Sequence, residues 1–290
     1  MIKQQIDPSI PPLLLSGGLF LLGFIVSTYY ARIKGFLSLP FKTYAGICCN
    51  GGDVVLILFF FLLSNTFLGT AIYMLLSKLS LSSILMMTLA PALSFFINII
   101  FLVSFALLQK KPYLFNLIKD QRFPGTQSVK EDIFSGIKAL ILSLFALYTV
   151  ICMLEAITIW LGGNTTSEQT AVRFLMQVKE TPLSLLLALF TIVIAAPLIE
   201  EYLFRGVFQS FLRKHLGSIK AIILTSAIFS LFHFSPSQGV QNIAILLSLF
   251  VLSLYLGFVF EKTRSLLSSI TLHLIFNLAS ALKIIFYGIN

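Results

Sequence analysis

Eight long, almost wholly apolar runs set the terms on which this chain folds: roughly 11–31, 54–76, 81–107, 134–161, 183–203, 219–235, 242–260 and 266–287. At a rise of about 1.5 Å per residue, a helix of about twenty residues crosses about 30 Å of hydrocarbon. Inside hydrocarbon every backbone N–H and C=O must be paired within the protein, which leaves helices and closed barrels as the only spanning structures. Barrel strands alternate apolar and polar positions over about ten residues, and the runs here are continuously apolar instead. Hydrophobic residues make up 58% and charged residues 11% of the 290, against about 45–50% and about 25% in soluble domains. Most of the chain therefore belongs in a bilayer, with no room for a separate soluble domain. The expected fold class is all-α, a polytopic transmembrane bundle of about eight helices. The first run is too long for a signal peptide, Asp7 spoils its basic flank and no small-residue cleavage site follows, so it reads as a retained span.

Lysine and arginine are unevenly shared between the connections. One set holds Arg32, Lys34 and Lys42, then Lys110, Lys111, Lys119, Arg122 and Lys130, then Arg213, Lys214 and Lys220, then Lys262 and Arg264. The other holds Lys3, Lys78, Arg173 and Lys179, with Lys283 near the chain end. Basic loops stay in the cytoplasm, so both termini are expected outside, in a multi-pass protein of the plasma (inner) membrane. A basic face against anionic lipid headgroups accounts for the net charge of +9 without a nucleic-acid partner. Cys48, Cys49 and Cys152 offer neither a disulfide framework nor a CxxC zinc spacing. The long polar connection ending in "SVKED" divides the chain into an N-terminal part, 1–133, and a C-terminal part, 134–290, that holds the unusual polar residues.

The first of these is the stretch "APLIEEYLFRG", where Glu200, Glu201 and Arg205 follow an apolar run. One charged side chain at the centre of a membrane helix costs about 2.5–3.5 kcal/mol on insertion scales, so three need a reason to persist. His233 in "IFSLFHFSP" and His273 with Asn277 in "SITLHLIFNLAS" are the others. Any one of them alone reads as a hydrogen bond between helices. Their spacing adds more, because residues four apart share a helix face. Phe229 lies four before His233, and His273 four before Asn277. Glu201 precedes Arg205 by four, the favoured ion-pair order, which leaves Glu200 as the acid without a counter-charge. An unpaired carboxylate in an apolar setting is competent as a general base or acid near neutral pH. Two imidazoles and an amide converging on it would complete a hydrolytic site. There is no G-x-S-x-G, no H-E-x-x-H and no cysteine with a neighbouring histidine, which favours an activated water over a covalent nucleophile.

The three motifs in order, E-E-x-x-x-R, F-x-x-x-H and H-x-x-x-N, resemble those of the CPBP family of intramembrane proteases, which includes the type II CAAX prenyl endopeptidase and bacteriocin-processing enzymes. The resemblance covers about residues 180–285. It implies a polar cavity in the C-terminal half, opening toward the cytoplasm, in which peptide bonds of membrane-associated proteins or peptides are cut. Carried over, Glu200 and His233 activate water, His273 and Asn277 stabilise the tetrahedral intermediate, and Glu201, Arg205 and Phe229 support them. Two histidines and a glutamate also make a chemically plausible zinc set, and the family is often labelled as metalloproteases. The expectation here is that no metal is required, because each helix offers one histidine at most and the adjacent acid is taken by Arg205. The alternative is a transporter or non-catalytic scaffold that uses the same buried Glu/His cluster. Among other polar residues, Glu155 reads as a helix-end group, Asn98 and Asn65 as packing groups, His215 as a cytoplasmic loop residue and Pro197 as a kink that frees a carbonyl.

Overall fold

The computed structural model describes residues 7–39, 50–108, 128–161 and 170–287, the side chains of 65, 66, 106, 108 and 170–172 excepted. Lys3, Lys42, Lys110, Lys111, Lys119, Arg122, Cys48, Cys49 and the Asn65 side chain lie outside that set. Among the described residues there are nine longer helices, a short 3-10 helix over Pro236–Gln241 and no strand. The longer helices are α1 (Ile10–Ile33), α2 (51–76), α3 (Ser83–Leu108), α4 (Val129–Trp160), α5 (Thr170–Val178), α6 (Pro182–Leu216), α7 (Ser218–Leu231), α8 (Asn242–Thr263) and α9 (Leu266–Tyr287). Six stretches built on α1, α3, α4, α6, α8 and α9 are long and apolar enough to cross a membrane, while α7 and the first half of α2 are shorter apolar helices.

Local chemistry sets the ends. α4 opens on a capping box in which the Ser128 hydroxyl accepts from the Glu131 N–H at 3.3 Å and the Glu131 carboxylate accepts from the Ser128 N–H at 2.6 Å. Asn50 caps α2 by accepting from the Asp53 N–H at 2.8 Å. α6 starts at Pro182, whose missing N–H falls where none is needed, and stops at Gly217. That residue takes φ +80° to reverse the chain into α7, a conformation that glycine adopts without strain.

α1 lies along α4 and buries only Ile10, Gly17 and Ala31, so most of its apolar surface faces outward, as suits a helix bordered by lipid. The central core joins both parts of the chain: Val54 and Ile57 of α2 and Phe95 and Phe105 of α3 pack with Ile199, Leu203 and Phe204 of α6, Phe229 of α7, Phe260 of α8 and Leu266 of α9. A second core unites α4, α8 and α9 through Ala139, Leu147, Leu256 and Leu272. α9 can approach α4 because of Gly136, where a Cβ would stand 2.5 Å from the Ser268 carbonyl oxygen.

Three expectations change. The run 183–203 is part of a 35-residue helix ending at Leu216, so the acid pair lies near mid-helix and not at a span's end. His233 is not inside a helix: α7 ends at Leu231 and His233 lies in the turn that follows. Arg213 and Arg264, counted above as loop charges, are 7% exposed and both pair with Glu261. His215 is on the last turn of α6, its ring 4.8 Å from that of Phe211. Asn98 is a packing group as expected, accepting from the Ser64 hydroxyl at 2.8 Å, and Glu155 is half-buried on α4. The short helix α5 corresponds to no apolar run.

Candidate active site

The site is built on two helices that run side by side in the same direction. Arg205, Gln209 and Arg213 of α6, spaced by four, face Ser253, Gly257 and Glu261 of α8, spaced likewise. The Arg205 guanidinium donates to the Ser253 hydroxyl at 2.6 Å and to its carbonyl at 3.3 Å. The Gln209 amide donates to the Gly257 carbonyl at 3.0 Å and to Glu261 Oε1 at 3.1 Å, and Arg213 Nη1 reaches the same oxygen at 3.3 Å. Four residues of α-helix overshoot a full turn by about 40°, so a long stripe of this spacing would wind off its partner. α6 adopts the wider π form over Tyr202–Gln209, which turns less per residue and keeps the stripe against α8. Glu261, with no exposure, also takes Arg264 at 2.6 Å and the Ser218 hydroxyl at 2.9 Å, which ties α6, α7 and α8 together at one end.

One turn before Arg205, Glu201 is fully buried. Its Oε1 accepts from Arg205 Nη1 at 3.0 Å and from His273 Nδ1 at 2.8 Å. A carboxylate only accepts hydrogen bonds, so the His273 proton lies on Nδ1, and Nε2 is directed to Glu200 Oε2 at 3.8 Å. Glu200 is 19% exposed and takes no hydrogen bond among the described residues. The paired acid is thus sealed, and its neighbour is partly exposed.

His233 is fixed by the end of α7. The last carbonyls of a helix lack backbone donors, and His233 Nδ1 donates to that of Phe229 at 2.9 Å. A carbonyl only accepts, so Nε2 keeps its lone pair. The Phe229 ring is 4.9 Å from the His233 ring and 6.0 Å from that of His273. The Arg205 guanidinium lies 4.6 Å above it, a cation–π arrangement. Beyond His233 the chain is held by Asn242, whose amide donates to the Ser235 and Gly239 carbonyls and accepts from the Ser235 N–H at 2.7, 3.0 and 3.0 Å. No hydrogen bond joins His233 to Glu200 among the described residues.

Asn277, one turn beyond His273, donates its amide to the Ile192 carbonyl at 2.9 Å. That carbonyl is available for a local reason. α6 is in π form over Phe190–Ala195, and the Ala196 N–H goes to Thr191. In that register the N–H for Ile192 would come from residue 197, which is proline.

The structure thus brings Glu200, Glu201, Arg205, Phe229 and His273 into one contiguous cluster, with His233 across the Phe229 ring and Asn277 one turn away. Reading the sequence alone missed Gln209, Ser253, Gly257, Glu261 and Asn242; the four-residue spacing of Arg205, Gln209 and Arg213 against that of Ser253, Gly257 and Glu261 was the available signal. Among the described residues no three His, Cys, Asp or Glu side chains stand in an arrangement that could hold a metal; the Nδ1 donations of His233 and His273 leave each Nε2 free of a hydrogen-bonding role in the protein.

Residues 182–279 match the family model described as Type II CAAX prenyl endopeptidase Rce1-like. The matched segment is similar to an Rce1-like domain. It spans α6 through most of α9, about a third of the chain, and contains every residue of the cluster. No curated protein and no solved structure matches the chain. The match supports, at the level of family, an intramembrane endopeptidase acting on protein or peptide. Its apolar helices make it an integral membrane protein.

Proposed function

We propose that this chain hydrolyses peptide bonds of membrane-associated substrates with a water activated by Glu200. The observation that carries the reading is the division of labour between adjacent acids: Glu201 is sealed against Arg205 and His273, whereas Glu200 is partly exposed, takes no hydrogen bond among the described residues and has only His273 Nε2 near it, at 3.8 Å. A water between Glu200 and His233 Nε2 would donate one hydrogen to each. Glu200 takes one proton as the water oxygen bonds to the scissile carbonyl carbon, and returns it to the amide nitrogen as the C–N bond breaks. His273, held through Nδ1 by Glu201, donates from Nε2 to the oxyanion when both ring nitrogens carry protons. Glu201, Arg205 and Phe229 fix that imidazole.

The site is proposed to lie in the cytoplasmic half of the bilayer. His273 is seven residues, about 10 Å, into α9 from the end that follows Lys262 and Arg264. The substrate class is a CAAX-type or bacteriocin-type membrane peptide. The test mixes purified protein with prenylated and unprenylated membrane peptides in ¹⁸O-water. The expected result is cleavage that places one ¹⁸O in the new carboxylate, survives exhaustive chelation and is lost in Glu200→Gln. Cleavage abolished by chelation and restored by zinc would overturn the glutamate mechanism.

A further inference from the structure

We propose that Asn277 is a positioning residue, whose amide closes the Ile192 carbonyl that Pro197 leaves open and thereby holds His273 at the depth of the glutamate pair. The proposal rests on the reading of Glu200 and His273 as working groups.

The geometry begins in α6. Through the π turn Phe190–Ala195 each carbonyl is offered to the N–H five residues on, as Thr191 is to Ala196. The next in that series, Ile192, is offered to Pro197 and finds no hydrogen. A carbonyl within a membrane helix has no water to fall back on, so the missing donor must come from the protein. The Asn277 amide supplies it at 2.9 Å. Asn277 and His273 are one turn apart on α9, and Ile192 and Glu201 lie on the same helix α6. The two bonds, Asn277 to Ile192 and His273 to Glu201 at 2.8 Å, therefore fix the same pair of helices at two levels. With the upper bond lost, α9 is free to slide or turn against α6, and the first consequence falls on the His273 to Glu201 bond. The pairing also explains why a kinking proline precedes the acid pair: it leaves open the acceptor to which the second helix is fastened.

The proposal has a readout other than turnover. The chain has three histidines, 215, 233 and 273, so the full-length protein labelled with ¹⁵N in its imidazoles and held in lipid nanodiscs gives a spectrum that His215→Gln and His233→Gln assign. The unaltered protein is expected to show His273 protonated at Nδ1 in one sharp signal. Asn277→Ala is expected to broaden or split that signal. Pro197→Ala restores an N–H at the position that serves Ile192 in the π register but no bond to α9, so the double variant Pro197→Ala/Asn277→Ala is expected to regain folded yield while keeping the broadened or split His273 signal. An unchanged His273 signal in Asn277→Ala overturns the proposal, and so does a double variant that regains the single sharp signal, because closing the carbonyl within α6 would then suffice without a bond to α9. If Asn277→Ala fails to fold, the same coupling is read as recovered folded yield in the double variant, and no recovery overturns it. A protein that cuts no peptide would refute the proposed activity and leave this result standing on its own.

Discussion

Glu201→Gln isolates the structural half of the acid pair. Glu201 and Arg205 have no exposed side-chain surface, and Glu201 Oε1 accepts from both Arg205 Nη1 at 3.0 Å and His273 Nδ1 at 2.8 Å. Removing one partner of a buried pair costs about 3–5 kcal/mol, because the other charge is left uncompensated. The glutamine oxygen still accepts one bond, which places this variant at the lower end, about 3 kcal/mol, or about a hundredfold in the folded-to-unfolded ratio at about 1.4 kcal/mol per factor of ten. The stranded group is the Arg205 guanidinium, left with Ser253 and the Phe229 face. Arg205→Met added to Glu201→Gln is therefore expected to recover part of the loss. The assay is reversible unfolding in detergent followed by circular dichroism, on the single and double variants. If Glu201→Gln unfolds at the same point as the unaltered protein, or if Arg205→Met makes it worse by its own full amount, the pair does not carry the burden assigned to it.

Gly257→Ala tests the ladder between α6 and α8. Its Cβ would stand 2.8 Å from Gln209 Oε1 and 3.2 Å from Ile222 Cγ2, and such overpacking is expected to cost about 1–3 kcal/mol, read in the same unfolding assay; a neutral result would mean the helices part freely there. The proposed orientation is tested by cysteine labelling in intact cells. Lys214→Cys, exposed at the end of α6, is expected to resist an impermeant thiol reagent until the membrane is opened, and labelling from outside would invert the topology. Ser218 is the poorer probe because its hydroxyl serves Glu261.

The spans were legible because helices in hydrocarbon must be continuously apolar, and the runs beginning near 11, 81, 242 and 266 correspond closely to α1, α3, α8 and α9. The end of α6 was not legible: Arg205, Gln209 and Arg213 look like a departure from the membrane until their partners on α8 are known, and those partners are about fifty residues away. The Glu201–Arg205 pair was readable because it is local, four residues within one helix. His273's bond to Glu201 was not, since it is a tertiary contact that no spacing encodes. Pro197 announced a free carbonyl, but its partner Asn277 could be placed only once α9 lay against α6. The tally of cytoplasmic lysine and arginine misjudged Arg213 and Arg264 because Glu261 was overlooked at the end of an apolar run.

The most direct measurement compares protein N-termini across the membrane proteome of cells carrying the unaltered chain and cells carrying Glu200→Gln at equal abundance. A general base is typically worth about 10²–10⁴ in rate, and Glu200 accepts no hydrogen bond among the described residues, its nearest ionic partner being His273 at 3.8 Å. A set of new N-termini within or beside membrane segments is expected with the unaltered chain and is expected to vanish with Glu200→Gln, while the variant itself stays folded in the membrane. Identical sets of N-termini in the two cell lines would contradict Glu200 as the base of an intramembrane endopeptidase.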